Sequence, residues 1–221
     1  MGTLIINFKN YREVLGDGSV RLAAAAAEVA SRSGAEIAVA PPTAMLATVA
    51  SRVSISVFSQ SVGAEEGEMT TGADLPEAAK AAGASGTLLN HSEARKPLGE
   101  LKALVPRAKK AGLKICLCAS GSREAAVLSV LGPEYLAVEP PELIGSGVAV
   151  SRARPEVVRA TVEVARRAGY KGKILCGAGI VGGDDVKRAV ELGAEGVLVS
   201  SSVVKARQWA SKISELARSL D

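Results

Sequence analysis

Leu88-Leu89-Asn90-His91-Ser92-Glu93 is the stretch on which the fold turns: an apolar run stops, and four polar residues follow in a row. A short run that is apolar throughout reads as a strand buried on both faces, and the polar residues place its end at a rim that opens to solvent. The pattern recurs along the chain. Strands are predicted over 3–8, 36–40, 55–59, 86–89, 114–118, 135–138, 173–176 and 196–199, most of them continuous apolar stretches such as Leu4-Ile5-Ile6 and Val197-Leu198-Val199. Helical periodicity fills the intervals at 19–33, 43–52, 76–82, 98–111, 122–131, 155–168, 184–192 and 204–220. Gly34, Gly83, Gly112, Gly169 and Gly193 stand where helix C-caps belong, and Pro155 suits a first helical position. Eight such units, with no composition break or Pro/Ser-rich linker, predict an α/β fold: a closed (β/α)8 barrel forming a single domain over 1–221.

Composition narrows the function classes. The 221 residues, 48% of them hydrophobic, can bury one sizeable core. A net charge of +4 and a pI near 9.0 are modest, and cations and anions alternate on the helices. Aromatic residues make up only 3%, too few for base-stacking platforms, so no nucleic acid partner is expected. The slight positive surplus suits a small anionic substrate. Cys116, Cys118 and Cys176 lie inside apolar runs and make no disulfide framework. With one histidine and no Cys-x-x-Cys, no metal site is expected. The chain runs from Met1-Gly2-Thr3 straight into a strand, and no apolar stretch is long enough to span a bilayer, so a cytoplasmic protein without membrane contact is expected.

In such a barrel the strand C-termini share one face, and polar residues there are the candidates for chemistry. Asn7 and Lys9 close the first strand, Asn90, His91, Ser92 and Glu93 the fourth, and Glu139 the sixth. Gly177-Ala178-Gly179 and Ser200-Ser201-Ser202 close the seventh and eighth. Glu139 follows Leu136-Ala137-Val138 directly and is locked by Pro140-Pro141, so a half-buried carboxylate is expected. With Gly182, the segment from Gly177 formally matches a dinucleotide fingerprint. The acidic residue needed about twenty positions on is missing, because Val199-Ser200-Ser201-Ser202 stands there. A backbone cradle for a single phosphate, completed by the amides of Ser200 and Ser201, is the better use of these glycines. Two long connections stand out, 62–75 and 140–154. The second has prolines at one end, Gly145-Ser146-Gly147 in the middle and Leu143-Ile144 at its tip, a composition suited to a lid that excludes water.

From first strand to last helix, these motifs resemble the triosephosphate isomerase family in its compact archaeal form. Asn7-Phe8-Lys9, Asn90-His91-Ser92-Glu93, Val138-Glu139-Pro140-Pro141 and Cys176-Gly177-Ala178-Gly179 carry the resemblance. It implies a TIM barrel that interconverts dihydroxyacetone phosphate and D-glyceraldehyde 3-phosphate in glycolysis and gluconeogenesis, through an enediolate, with no cofactor and no metal. By the same resemblance Glu139 is the base, His91 the electrophile, working as a neutral ring at a helix N-terminus opened by Ser92-Glu93, and Lys9 the electrostatic stabiliser. Asn7 is a supporting donor, and Glu93 the carboxylate behind the lysine. Amides of Ile144, Gly145 and Ser146, of Gly177 and Gly179, and of Ser200 and Ser201 would bind the phosphate of the triose. A homo-oligomer is implied, dimer or tetramer, with Thr70 or Thr71 reaching a neighbouring subunit's site. The chain departs from many relatives in carrying Glu142-Leu143 where they have Trp, and Ser200-Ser201 where they have two glycines.

Two other readings fit the same barrel. Another phosphosugar isomerase or a Schiff-base aldolase is one, although an aldolase needs a lysine at an inner strand end and Lys114 and Lys173 stand at strand starts. A catalytically silent barrel that only binds phosphorylated metabolites is the other.

Overall fold

The computed structural model describes residues 2–67, 69–145 and 147–220. Eight strands, β1 (Thr3–Asn7), β2 (Glu36–Ala40), β3 (Ser56–Ser59), β4 (Gly86–Leu89), β5 (Lys114–Ala119), β6 (Tyr135–Val138), β7 (Lys173–Cys176) and β8 (Gly196–Val199), pair in parallel in chain order. β8 closes on β1 with Thr3 opposite Gly196, so the predicted (β/α)8 TIM barrel is the fold observed. Alternate strand residues point inward. Ile5, Phe58, Leu88, Tyr135, Leu175 and Leu198 fill the barrel interior, while Leu4, Ile6, Leu89, Leu117 and Ile174 face the surrounding helices. Both faces are therefore dry, which is why the strands are continuous apolar runs. Each large interior side chain holds the barrel together by about 2–5 kcal/mol, the cost of truncating a buried leucine to alanine.

The helices are α1 (Asp17–Ser33), α2 (Leu46–Ala50), α3 (Pro76–Ala81), α4 (Leu98–Lys110), α5 (Ser122–Ser129), α6 (Val150–Ala153), α7 (Pro155–Arg167), α8 (Gly183–Glu191), α9 (Ser201–Val204) and α10 (Trp209–Arg218). The five glycines expected after helices all adopt positive φ, the conformation that turns the chain back toward the next strand. Two expectations need correction. The helix predicted over 43–52 begins as a 3-10 turn at Thr43–Met45 before α2. The helix predicted over 204–220 is broken into α9 and α10, and the Trp209 indole N–H donates to the Val204 carbonyl at 3.0 Å across the break. That bond satisfies a carbonyl freed by the end of α9.

At the strand starts, the carboxylate of Glu36 accepts hydrogen bonds from Lys173 Nζ (2.8 Å), Thr3 Oγ1 (2.7 Å) and the Tyr135 hydroxyl. Burial works against its charge, yet these bonds hold its pKa down at about 2. No helix among the described residues is long and apolar enough to cross a membrane.

Candidate active site

The strand ends deliver Asn7, Lys9, His91 and Glu139 to the wall of one cavity of about 270 Å³. Ile144 and Gly145 of the 140–154 segment, Gly179 after β7, and Ser200 and Ser201 after β8 line the same cavity. Three distant segments thus meet at one mouth, as expected from their places at strand ends one, four and six.

Each chemical group is held by a local device. Lys9 takes φ +49°, a conformation uncommon for a non-glycine residue, and its amide donates to Asn7 Oδ1 at 2.9 Å. Its ammonium meets Glu93 Oε1 at 2.7 Å, and the Gln60 side chain donates to the Lys9 carbonyl at 3.0 Å. Glu93 itself stands behind the lysine, on an adjoining groove, and does not line the cavity.

His91 is 5% exposed. Its Nδ1 accepts the Glu93 amide N–H at 3.2 Å, so Nδ1 is the bare nitrogen and Nε2 carries the hydrogen. Nε2 points to Glu139, 3.7 Å from Oε2. The helix N-terminus expected at Ser92-Glu93 is not formed. These residues make a turn closed by the Ala94 amide on the His91 carbonyl (2.8 Å), and the helix starts only at Leu98. The backbone amide of Glu93, not a helix dipole, therefore orients the ring.

Glu139 is buried more deeply than the half-burial expected, at 6% exposed. Its amide donates to the Ala119 carbonyl at 2.8 Å, which continues the β5–β6 ladder by one residue. Burial pushes the carboxyl pKa up from its ordinary value, against the opposing pull of His91, a thiol hydrogen bond from Cys118, and Lys9. Oε2 is buried without a hydrogen-bond partner, an acceptor left open toward the cavity chemistry.

The glycines after β7 do more than cradle an anion. A Cβ on Gly177 would stand 2.4 Å from Glu139 Cγ, so this glycine makes room for the carboxylate and does not itself line the cavity. A Cβ on Gly179 would fall 1.9 Å from the Val148 carbonyl, and the Val150 amide bonds the Ala178 carbonyl at 3.3 Å. Gly179 thus seats the foot of the 140–154 segment against the end of β7. Within that segment Glu142 and Arg154 pair at 2.9 Å, Gly145 and Gly147 take positive φ, and Ser146 lies outside the described residues. Ser200 precedes the short helix α9, and Ser200 Oγ and Ser202 Oγ are buried without partners.

Sequence reading missed several wall residues. Ser202, Tyr11 and Lys205, to which the sequence pattern assigns no role, all line the cavity, with the Lys205 ammonium 4.7 Å from the Tyr11 ring centroid. Lys205 lies in the break between α9 and α10 that periodicity had read as continuous helix. Lys114 and Lys173, in contrast, face Glu36 at the opposite rim, at 3.9 and 2.8 Å, out of reach of this cavity. No group of three or more metal-ligating side chains is found among the described residues.

A family model described as triosephosphate isomerase matches residues 2–216. The chain is 43% identical over 215 residues to the triosephosphate isomerase of Methanosarcina barkeri, covering 97% of each chain. It is 46% identical over 217 residues to that of Caldivirga maquilingensis, covering 98% of this chain and 96% of the relative. With the enzyme of Methanopyrus kandleri the identity is 47% over 205 residues, covering 92% and 91%.

Proposed function

Because the chain belongs to the triosephosphate isomerase family, we propose that the cavity at its strand ends interconverts dihydroxyacetone phosphate and D-glyceraldehyde 3-phosphate, with Glu139 as base. The single observation that carries the residue assignment is a buried, unpartnered carboxylate oxygen facing the imidazole Nε2 from 3.7 Å away. A proton on carbon beside a carbonyl is a poor acid. Glu139, with its pKa raised by burial, takes that proton from one carbon and returns it to the next. His91 Nε2–H hydrogen-bonds the carbonyl oxygen as it gains negative charge, and Lys9 adds a fixed positive charge beside the same oxygens. Such a base and such a donor are each worth about two to three powers of ten in rate. Asn7 buttresses the Lys9 backbone, and Glu93 holds the ammonium. Amides at Ile144, Gly145 and Gly179 and around Ser200 and Ser201 receive the phosphate, and the 140–154 segment closes over it, its apolar Leu143 and Ile144 keeping water from the enediolate. The chemistry asks for no metal or organic cofactor.

Conversion of D-glyceraldehyde 3-phosphate by the purified protein tests the reading, with Glu139→Gln as the comparison. The variant is expected to lose at least about two powers of ten in kcat. Binding of the triose phosphate without turnover by the unaltered protein would instead favour the silent barrel, and full activity in the variant would remove Glu139 from the base role. A homo-oligomer belongs to the same proposal. The 62–75 loop closes at its base through the Gly63 amide on the Asp74 carbonyl and presents Met69 at 99% exposure, with Thr70 and Thr71 beside it. Glu68 lies outside the described residues. Sedimentation equilibrium distinguishes monomer, dimer and tetramer.

A further inference from the structure

We infer that Asn90 is a positioning residue for the reaction, setting both the place and the tautomer of His91 through a hydrogen-bonded clamp between the ends of β4 and β5. The inference rests on the role proposed for His91. Asn90 is 2% exposed and takes φ +60°, one of three non-glycine residues with positive φ among those described. An asparagine tolerates this conformation, but a residue needed only for the turn would be as well served by glycine. The side chain is instead bonded at both ends. Nδ2 donates to the Cys118 carbonyl at 2.9 Å and to Glu124 Oε1 at 3.0 Å, and Oδ1 accepts the Lys96 amide at 3.1 Å. The Asn90 carbonyl takes Arg95 Nη1 at 3.1 Å.

Glu124 anchors the far side. It accepts the Ser120 amide and hydroxyl, both at 2.7 Å, and Arg95 Nη2 at 2.9 Å. The turn from 90 to 96 is thereby closed onto its own first residue and tied to the β5 end. β5 is also the strand whose Ala119 carbonyl holds the Glu139 amide. One network thus fixes the imidazole against the carboxylate it faces. It also aims the Glu93 N–H at Nδ1, the bond that leaves the hydrogen on Nε2. Without the Asn90 side chain the turn keeps its backbone bond, the Arg95 bond to the residue 90 carbonyl and the Lys9–Glu93 pair but loses its direct tie to the β5 carbonyl, and the competing Nδ1–H tautomer, which offers the substrate an acceptor instead of a donor, becomes accessible.

His91 is the only histidine in the chain, so the ring can be observed without ambiguity. In Asn90→Gly, which keeps the freedom of φ, we expect kcat to fall about tenfold with KM within twofold, since small misplacement of a catalytic group is costly. In a His91→Gln background the same substitution should have no further effect. In protein labelled with ¹⁵N-histidine, the unaltered ring should show one tautomer with hydrogen on Nε2, and the variant a mixture. Glu124→Gln, which keeps the side-chain volume, should shift the ring signals in the same direction by less, and serves if Asn90→Gly does not fold. Equal rate losses in both backgrounds, or an unchanged tautomer in both variants, would reduce Asn90 to a structural turn residue and overturn the inference. Undiminished activity in His91→Gln alone would instead overturn the proposed role of His91.

Discussion

At the strand starts Glu36 is enclosed by Lys173, Thr3 and Tyr135, each donating to it. At the strand ends Glu139 is more deeply buried, yet its Oε2 has no donor. The backbone follows the same division. Among the described residues, all three non-glycine residues with positive φ, Lys9, Asn90 and Ala178, follow strand ends. Ser59, Ser200 and Ser202, at or after strand ends, also carry buried hydroxyls without partners. The buried carboxylate at one rim is fully paired, whereas the other rim, beside its paired Asn90 and Glu124, keeps some buried acceptors open and holds three residues in the left-handed region. The contrast teaches why the strand-end rim is the one proposed for chemistry: a group fully satisfied by the protein, as Glu36 is, has nothing left for a substrate.

The largest effect should come from Glu139→Gln. Beyond its loss of turnover, this variant should be at least as stable as the unaltered protein at neutral pH. A carboxyl whose folded pKa is raised above the unfolded value of about 4.3 lends most stability below that value and loses it as pH rises through the folded pKa. Thermal melts at pH 7 that place the variant clearly lower would break the contrast between the rims. The acid limb of the kcat/KM profile, which reports the free protein, should likewise stand above the ordinary carboxylate range.

Next in size, Lys9→Ala should weaken capture of the phosphorylated substrate, raising KM by about 10- to 100-fold, the worth of a charge-assisted hydrogen bond. A loss confined to kcat would assign the lysine to the transition state alone.

Glu36→Gln tests the other rim. The folded pKa of about 2 lies below the unfolded value, so the carboxylate stabilises the fold above the unfolded pKa, and the effect is lost as pH falls toward 2. With solvent screening counted, the variant should cost about 1–2 kcal/mol in urea melts at pH 7 and leave kcat within about twofold. A large loss of activity would show that the two ends are coupled.

Smallest of all, Ala178→Gly should stabilise by about 0.5–1 kcal/mol, because glycine holds φ +65° without strain. No gain in a chemical melt would mean that the strain is already offset by neighbouring contacts.

The strands were legible because inward and outward residues are both apolar, a pattern that leaves few alternatives to a parallel sheet covered by helices. Lys9, His91 and Glu139 were legible for a related reason: each ends an apolar run, and in a barrel every such end shares one rim. The α9–α10 break was hidden, since Val204 to Leu220 keeps helical spacing through the interruption, whereas in the structure the backbone leaves the helix after Val204 and the Trp209 indole takes up the freed Val204 carbonyl. Lys205 was missed with it. Gly177 and Gly179 were visible as glycines, but their reasons were not. The bulk they make way for, Glu139 and the Val148 carbonyl, arrives from elements distant in sequence.

Taken alone, the order of residues determined which groups reach the working rim and that the chain closes into a barrel, because periodicity and strand ends are local properties. Only the tertiary structure decided how those groups are tuned. The buried state of Glu139, the hydrogen on His91 Nε2 and the clamp on Asn90 depend on partners brought close by closure of the barrel, and burial and hydrogen bonding act across space without regard to separation along the chain.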